Sequence, residues 1–253
     1  MNILHIISKS DSYDTIFQVL DLSNHLNAIG HNCVVVSSFN SQFADRIKAK
    51  HYHLPLYNMN IWHVYNSLKK IIKENNIDIV HTHSELSSWI GLFLSRNTSV
   101  PLVTTCYNFY SKNIFNASVI LGRKVIVHHE AVGSHLINKF NLPREYLQFI
   151  RPALALENLH FYTPDERSKT EFNIGIISPL HPDKGHEYFL KAMAKVVRSI
   201  PNLKIWIATS MPGSRQNFKG DLELWVRKFN LNNFVEFFDA SNLDLNILSK
   251  FNI

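Results

Sequence analysis

The sequence predicts an α/β protein built on doubly wound parallel sheets, and three observations predict it. Short apolar runs alternate with longer amphipathic segments along almost the whole chain. Several of the short runs, Val34-Val35-Val36 above all, are apolar at consecutive positions, as in strands covered on both faces. The links between elements are short, so each strand–helix–strand unit returns the chain to the same sheet in parallel.

Asn2–Ile7 reads as a buried strand. A loop, Ser8–Asp14, leads to a helix over Thr15–Ile29, where Ile16, Val19, Leu20 and Leu26 give the helical spacing and Gly30 the stop. Cys33–Ser37 is the second strand, Ser41–Lys50 a short helix and His51–Leu56 an edge strand. Trp62–Glu74 is a helix, Ile77–Thr82 a strand, Glu85–Arg96 a helix and Leu102–Cys106 a strand. Lys124–His128 is a strand that runs straight into a helix over Glu130–Phe140. A polar, proline-marked stretch around Arg151-Pro152 and Thr163–Arg167 has the composition of a linker. It separates an expected first domain, residues 1–160, from a second, residues 171–253. There the alternation resumes with a strand at Asn173–Ile177, a helix at Gly185–Ile200, a strand at Leu203–Ala208, a helix at Asp221–Phe229, a strand at Val235–Phe238 and a helix at Leu243–Phe251. Open sheets usually have about five or six strands, so the second sheet is expected to be incomplete, with an exposed strand edge.

Composition narrows the function classes. The 253 residues are 45% hydrophobic and 18% charged, which excludes disordered and fibrous chains. Two cysteines form neither a disulfide framework nor a zinc-finger spacing and suit a reducing compartment. Met1–Ile7 lacks the basic region and long apolar core of a signal peptide. No apolar stretch approaches the ~20 residues of a membrane helix, so a soluble, cytoplasmic protein is expected. The net charge of +6 is spread out, without a nucleic-acid-binding signature, so nucleic acid is not an expected partner. The first loop lacks the G-x-G-x-x-G of a dinucleotide site, and no G-x-x-x-x-G-K-[ST] occurs.

Ligands of open parallel sheets bind outside the carboxyl ends of the strands, which selects a few places. In Asp78–Ser84, His81 and His83 are two apart and share a face. They read either as hydrogen-bonded cleft residues or as two ligands of a metal that needs at least a third; no metal site is expected. Cys106 and Tyr107 end the next strand, and Glu130 sits where a helix dipole favours a carboxylate or where a sugar hydroxyl is bound. In Ile177–Glu187 a strand ends, a proline-rich turn follows and Lys184-Gly185 opens a helix. A lysine there opposes the dipole; it is either simply solvated or partnered by a phosphate, which satisfies both.

Taken in order, these segments resemble retaining glycosyltransferases of family 4 type with the GT-B fold. The resemblance rests on Asp78-Ile79-Val80-His81-Thr82-His83-Ser84, Val100-Pro101-Leu102-Val103-Thr104-Thr105, Val125–Val132, Leu156–Phe161 and Leu180-His181-Pro182-Asp183-Lys184-Gly185-His186-Glu187. It implies two Rossmann-like domains, the first on the acceptor side and the second holding a nucleotide-diphosphate sugar, with no metal and no other cofactor. It also implies roles. Lys184 and Gly185, with Ser178 and Ser10, become donor contacts. His83, Tyr107 and Glu130 become the residues nearest the reacting sugar or acceptor. An arginine of the family falls on Pro179, its first-loop glycines fall within Ser10–Tyr13, and its histidine and glycine after the fifth strand fall on Tyr107 and Asn108. An acidic segment of the family would lie beyond Ile253, so a C-terminally truncated member is expected.

Two functions follow. One is transfer of a sugar to a cell-envelope glycan or lipid-linked acceptor, with peripheral contact to an anionic membrane at its inner face. The other is a catalytically inactive remnant or binding module that keeps the fold.

Overall fold

The computed structural model describes residues 1–8, 13–38, 47–56, 61–153, 171–209, 214–215, 217–240 and 245–253. The chain divides into two compact units, Met1–Leu154 and Ala155–Ile253.

The first unit holds a seven-stranded parallel sheet. Its strands are β1 (Asn2–Ile7), β2 (Asn32–Ser37), β3 (Lys50–His53), β4 (Ile79–Thr82), β5 (Leu102–Cys106), β6 (Lys124–Val127) and β7 (Leu147–Phe149), in the order β3-β2-β1-β4-β5-β6-β7. The order reverses at β1, between β2 and β4. Here the chain crosses from one half of the sheet to the other, the place where open parallel sheets bind ligands beyond the strand ends. Helix α1 (Tyr13–Ala28) covers one face, packing Ile16, Val19 and Leu20 on Ile3, Ile7, Cys33 and Val35. Helices α2 (Ile61–Glu74) and α3 (Glu85–Thr98) belong to the core on the other face, with Val64, Leu68 and Ile90 in the cluster of Leu4, Ile6, Val34, Val36 and Val80. Consecutive apolar residues in β1 and β2 are thus explained: odd and even positions meet different helices. Gly91 lets α3 lie close, since a Cβ there would sit 2.8 Å from both Leu102 Cδ1 and Thr82 Cγ2. Helix α4 (Glu130–Phe140) packs Val132, Leu136 and Phe140 on Val125 and Val127.

The second unit has a three-stranded parallel sheet, ordered β10-β9-β8, from β8 (Phe172–Ile176), β9 (Leu203–Thr209) and β10 (Val235–Asp239). Its core joins Ile174, Ile205 and Ile207 to Leu190 and Met193 of α5 (His186–Val196) and Leu222 and Val226 of α6 (Phe218–Lys228).

The architecture is the expected one, two Rossmann-like parallel sheets of which the second is smaller. Several local expectations are corrected. Ile77 precedes β4, because its N–H closes the end of α2 on Ile72 O. The helix expected over Ser41–Lys50 falls largely outside the described residues; Ile47–Ala49 are not helical and Lys50 opens β3. The last helix is a short 3₁₀ turn, Leu245–Lys250. The edge of β8 is not bare either. Asn252 N–H bonds Asn173 O, Asn252 Oδ1 accepts from Asn173 N–H, and Gly175 N–H donates to Ile253 O. Strand β7 has no counterpart in the expected elements.

Candidate functional site

Parallel register assembles the first group of side chains. Pairing of β1 with β4 sets His5 opposite His81, and His83 lies two residues further on the same face. That face is the one α1 covers, since His5 alternates with Ile3 and Ile7. The three imidazoles pack against each other, with ring centroids 4.2 Å apart for His81–His83 and 5.2 Å for His5–His81, both tilted, and 5.5 Å for the stacked pair His5–His83. All three are buried.

Their nitrogens form a chain of hydrogen bonds. His5 Nδ1 lies 3.3 Å from His83 Nε2, and His83 Nδ1 lies 2.9 Å from the Tyr107 hydroxyl. His81 Nε2 is 2.7 Å from Thr105 Oγ1. The Tyr107 ring then lies tilted against His128, centroids 5.1 Å apart, and Nδ1–H of His128 donates to Ile150 O at 2.6 Å. Because a carbonyl only accepts, this bond places a proton on Nδ1 of His128. Around the cluster, Ser8 Oγ and Ser84 Oγ are 3.0 Å apart, and Ser87 Oγ accepts from Ser84 N–H at the start of α3.

Burial without a carboxylate partner disfavours the imidazolium form. Desolvation pushes His5 down to about 4; His81 and His83 lie well below the usual histidine range through desolvation first and the charge of neighbouring histidines, His128 among them, second. The cluster is therefore neutral at physiological pH. One nitrogen from each of His5, His81 and His83 lies within 4.8 Å of the others, the spacing of a three-histidine metal site. In this structure both His83 nitrogens and one of His81 are engaged with His5, Tyr107 and Thr105. What the arrangement offers a ligand is a half-buried phenol at a strand end, backed by neutral imidazoles. Such groups exchange hydrogen bonds with hydroxyls rather than attract charge.

Glu130 lies elsewhere in this unit. It opens α4 exposed, and lines a shallow concavity of about 340 Å³ with Gly133, Ser134, Arg144 and Phe149. Ser10 lies outside the described residues.

The second unit carries a separate group. Beyond β8 the chain passes Ser178 and a 3₁₀ turn, Pro182–Lys184, before α5. Gly185 caps α5 with φ 78°, a left-handed conformation that glycine adopts without strain, and its Cα faces open space. Lys184 beside it is exposed and forms no ion pair among the described residues. Ser178 Oγ is 3.4 Å from Nε2 of the buried His186. The turn is held from outside as well: Leu180 N–H donates to Ser214 Oγ and Leu180 O accepts from Arg215 N–H.

The expected pair His83 and Tyr107 is thus in contact, and Lys184, Gly185 and Ser178 share one loop. His5 and His186 were not legible as site residues. A histidine inside an apolar strand gives no local signal of the partner that sheet pairing brings to it.

Comparison with known proteins bears on this geometry. Residues 17–158 match the family model described as Glycosyltransferase Family 4. The phosphatidylinositol N-acetylglucosaminyltransferase gpi3 subunit of Schizosaccharomyces pombe is 25% identical over 248 residues, 86% of this chain and 51% of that protein. The corresponding GPI3 subunit of Saccharomyces cerevisiae is 20% identical over 226 residues, 78% of this chain and 49% of its own. The chain therefore spans about half the length of the curated relatives it matches. Among solved structures, a glycosyltransferase from Rickettsia africae superposes with a TM-score of 0.81 at 18% identity, covering 99% of this chain and 71% of that one. HepE of Anabaena, solved with UDP and glucose, superposes with a TM-score of 0.77 at 16% identity, covering 94% and 69%.

Proposed function

Because the chain belongs to glycosyltransferase family 4, we propose that it transfers a sugar from a nucleotide-diphosphate donor to a lipid-linked or cell-envelope acceptor. The observation that supports this most is the Lys184-Gly185 turn. An exposed cation stands directly before the amino end of α5, where the helix dipole already favours an anion. A nucleotide diphosphate satisfies both. As the glycosidic bond to the donor breaks, negative charge builds on the leaving diphosphate, and a lysine at a helix start stabilises it more than the intact donor. Ser178 is assigned to the same donor. In the first unit, Tyr107 backed by His83 is assigned to hydroxyl groups of the sugar or acceptor, and Glu130 to the acceptor side. A uridine donor and a lipid acceptor are the first to try, because HepE was solved with UDP and the gpi3 relative is named for a phosphatidylinositol acceptor. Work from the cytoplasm at the inner membrane face belongs to the same reading.

Titration calorimetry with UDP, UDP-glucose, UDP-N-acetylglucosamine and GDP- and ADP-sugars tests it, alongside donor hydrolysis. A uridine nucleotide is expected to bind, and Lys184→Ala to weaken binding roughly tenfold or more, the worth of a hydrogen bond to a charged group. A folded protein that binds none of these nucleotides would overturn the proposal. One feature favours a second reading, a binding module without turnover: Pro179 stands where the family resemblance puts an arginine. Tight donor binding with no hydrolysis or transfer to any acceptor would select it.

A further inference from the structure

His81 and His83 by themselves lack the third ligand that a metal ion needs, and sheet pairing supplies one. Register sets His5 of β1 beside them, and one nitrogen from each of the three rings lies within 4.8 Å of the others. His5 Nδ1 and His83 Nε2 are 3.3 Å apart. A tetrahedral ion with metal–nitrogen distances of about 2.0–2.1 Å holds its nitrogens about 3.3–3.4 Å from each other, so this pair already stands at chelating distance.

Hydrogen bonding among the described residues does not account for the cluster. His5 Nε2 is buried and has no hydrogen-bond partner. A neutral imidazole carries one proton, so in either tautomer His5 leaves one nitrogen unsatisfied in the core. The other two rings are held from outside by hydroxyls. His81 Nε2 is 2.7 Å from Thr105 Oγ1, and His83 Nδ1 is 2.9 Å from the Tyr107 hydroxyl. Both oxygens can accept an N–H, which leaves lone pairs on His81 Nδ1 and His83 Nε2. Metal-ligating histidines are fixed in this way, the second ring nitrogen donating to an oxygen.

We propose that His5, His81 and His83 bind one zinc ion, with Thr105 and Tyr107 orienting two of the ligand rings and the fourth position left to water. The ligand set selects the ion. No carboxylate belongs to the cluster, so Mg²⁺ and Ca²⁺, which take oxygen, are poor occupants, whereas Zn²⁺ takes imidazole. Neutral rings draw no ion from a distance; they hold it through their lone pairs at contact. Coordination ties β1 to β4 across the sheet. It also fixes His83 with Nδ1–H toward the Tyr107 oxygen, so that the phenol accepts there and its own proton points away from His83. The ion takes no part in neutralising the diphosphate assigned to Lys184, so the site stands whether or not the chain transfers a sugar.

The test is calorimetric titration of the untagged full chain, stripped with a chelator, with zinc chloride and with magnesium chloride. One Zn²⁺ per chain is expected to bind, and Mg²⁺ is expected not to. Cobalt in place of zinc counts the ligands without any variant: the visible bands of tetrahedral Co²⁺ and shifted imidazole N–H signals from three histidines in the proton NMR spectrum. His5→Asn should weaken zinc binding about a hundredfold or more, and Thr105→Val, which removes only a partner of a ligand, about tenfold or more. His31→Ala, which removes the imidazole beside the amino terminus, should bind zinc as the wild type does. The proposal is overturned if the folded wild type binds no zinc, if the cobalt form shows fewer than three ligating histidines, or if folded His5→Asn binds zinc as tightly as the wild type. Loss of binding in His31→Ala would overturn it as well, by placing the ion at the amino terminus.

Discussion

Acid should destabilise the first unit well before its carboxylates are protonated, and His5 lets the size of the effect be worked out. Its folded-state value is about 4, against 6.5 when unfolded, because burial disfavours the charged ring. The sign follows from proton uptake: below 6.5 the unfolded chain binds a proton that the folded chain refuses, so stability falls as pH falls. The contribution is fully present above 6.5 and is lost progressively toward 4. Between neutrality and about pH 6 it costs about 0.8 kcal/mol, and by about pH 5 about 2 kcal/mol. His81 and His83 are shifted in the same direction, so the loss at each pH exceeds that of His5 alone. Against a typical stability of about 5–15 kcal/mol, such a loss is large. Urea unfolding followed by circular dichroism at a series of pH values between about 7.5 and 5 measures it, with His5→Asn as comparison. Asparagine keeps an amide near the Nδ1 position facing His83 but does not titrate. The wild type should lose stability steeply below pH 6.5, and the variant should lose less, by the about 2 kcal/mol assigned to His5. A wild-type stability constant down to about pH 5, or an unchanged slope in His5→Asn, would refute the reasoning.

Two further outcomes are expected. Cys33 and Cys106 are buried, with their thiols pushed up to about 11 and about 12 by desolvation; neither should react with a thiol reagent at neutral pH until denaturant is added, which a colorimetric titration follows. Phe251→Ala should destabilise the second unit by about 3–5 kcal/mol, read as a lower denaturation midpoint, because this buried ring packs beside Trp206 and Phe238 and over Gly175 of β8.

Helix spacing and doubly covered apolar runs are local signals, and where they were clean the sequence read true. Leu102–Cys106 and Glu130–Phe140 are found with the bounds their patterns indicate. Leu147-Gln148-Phe149 was invisible for the opposite reason. Three residues are too short a run to signal a strand, and they become one because β6 offers them an edge. The shift of the final helix to a 3₁₀ turn likewise reflects tertiary pull, since Phe251 and Asn252 are drawn onto β8.

Family membership and the place of Lys184 before a helix were decided by order and spacing along the chain, and so were His83 and Tyr107 as strand-end residues. The tertiary structure decided that His5 belongs with them. Residues 5 and 83 meet because β1 and β4 are neighbours in one particular register, and a one-residue slip of β4 would turn His81 and His83 to the other face, away from His5. Strand pairing is chosen by the sum of contacts across the entire sheet, so no short stretch of sequence carries it. The neutral, closely packed imidazoles behind Tyr107 are a product of that choice.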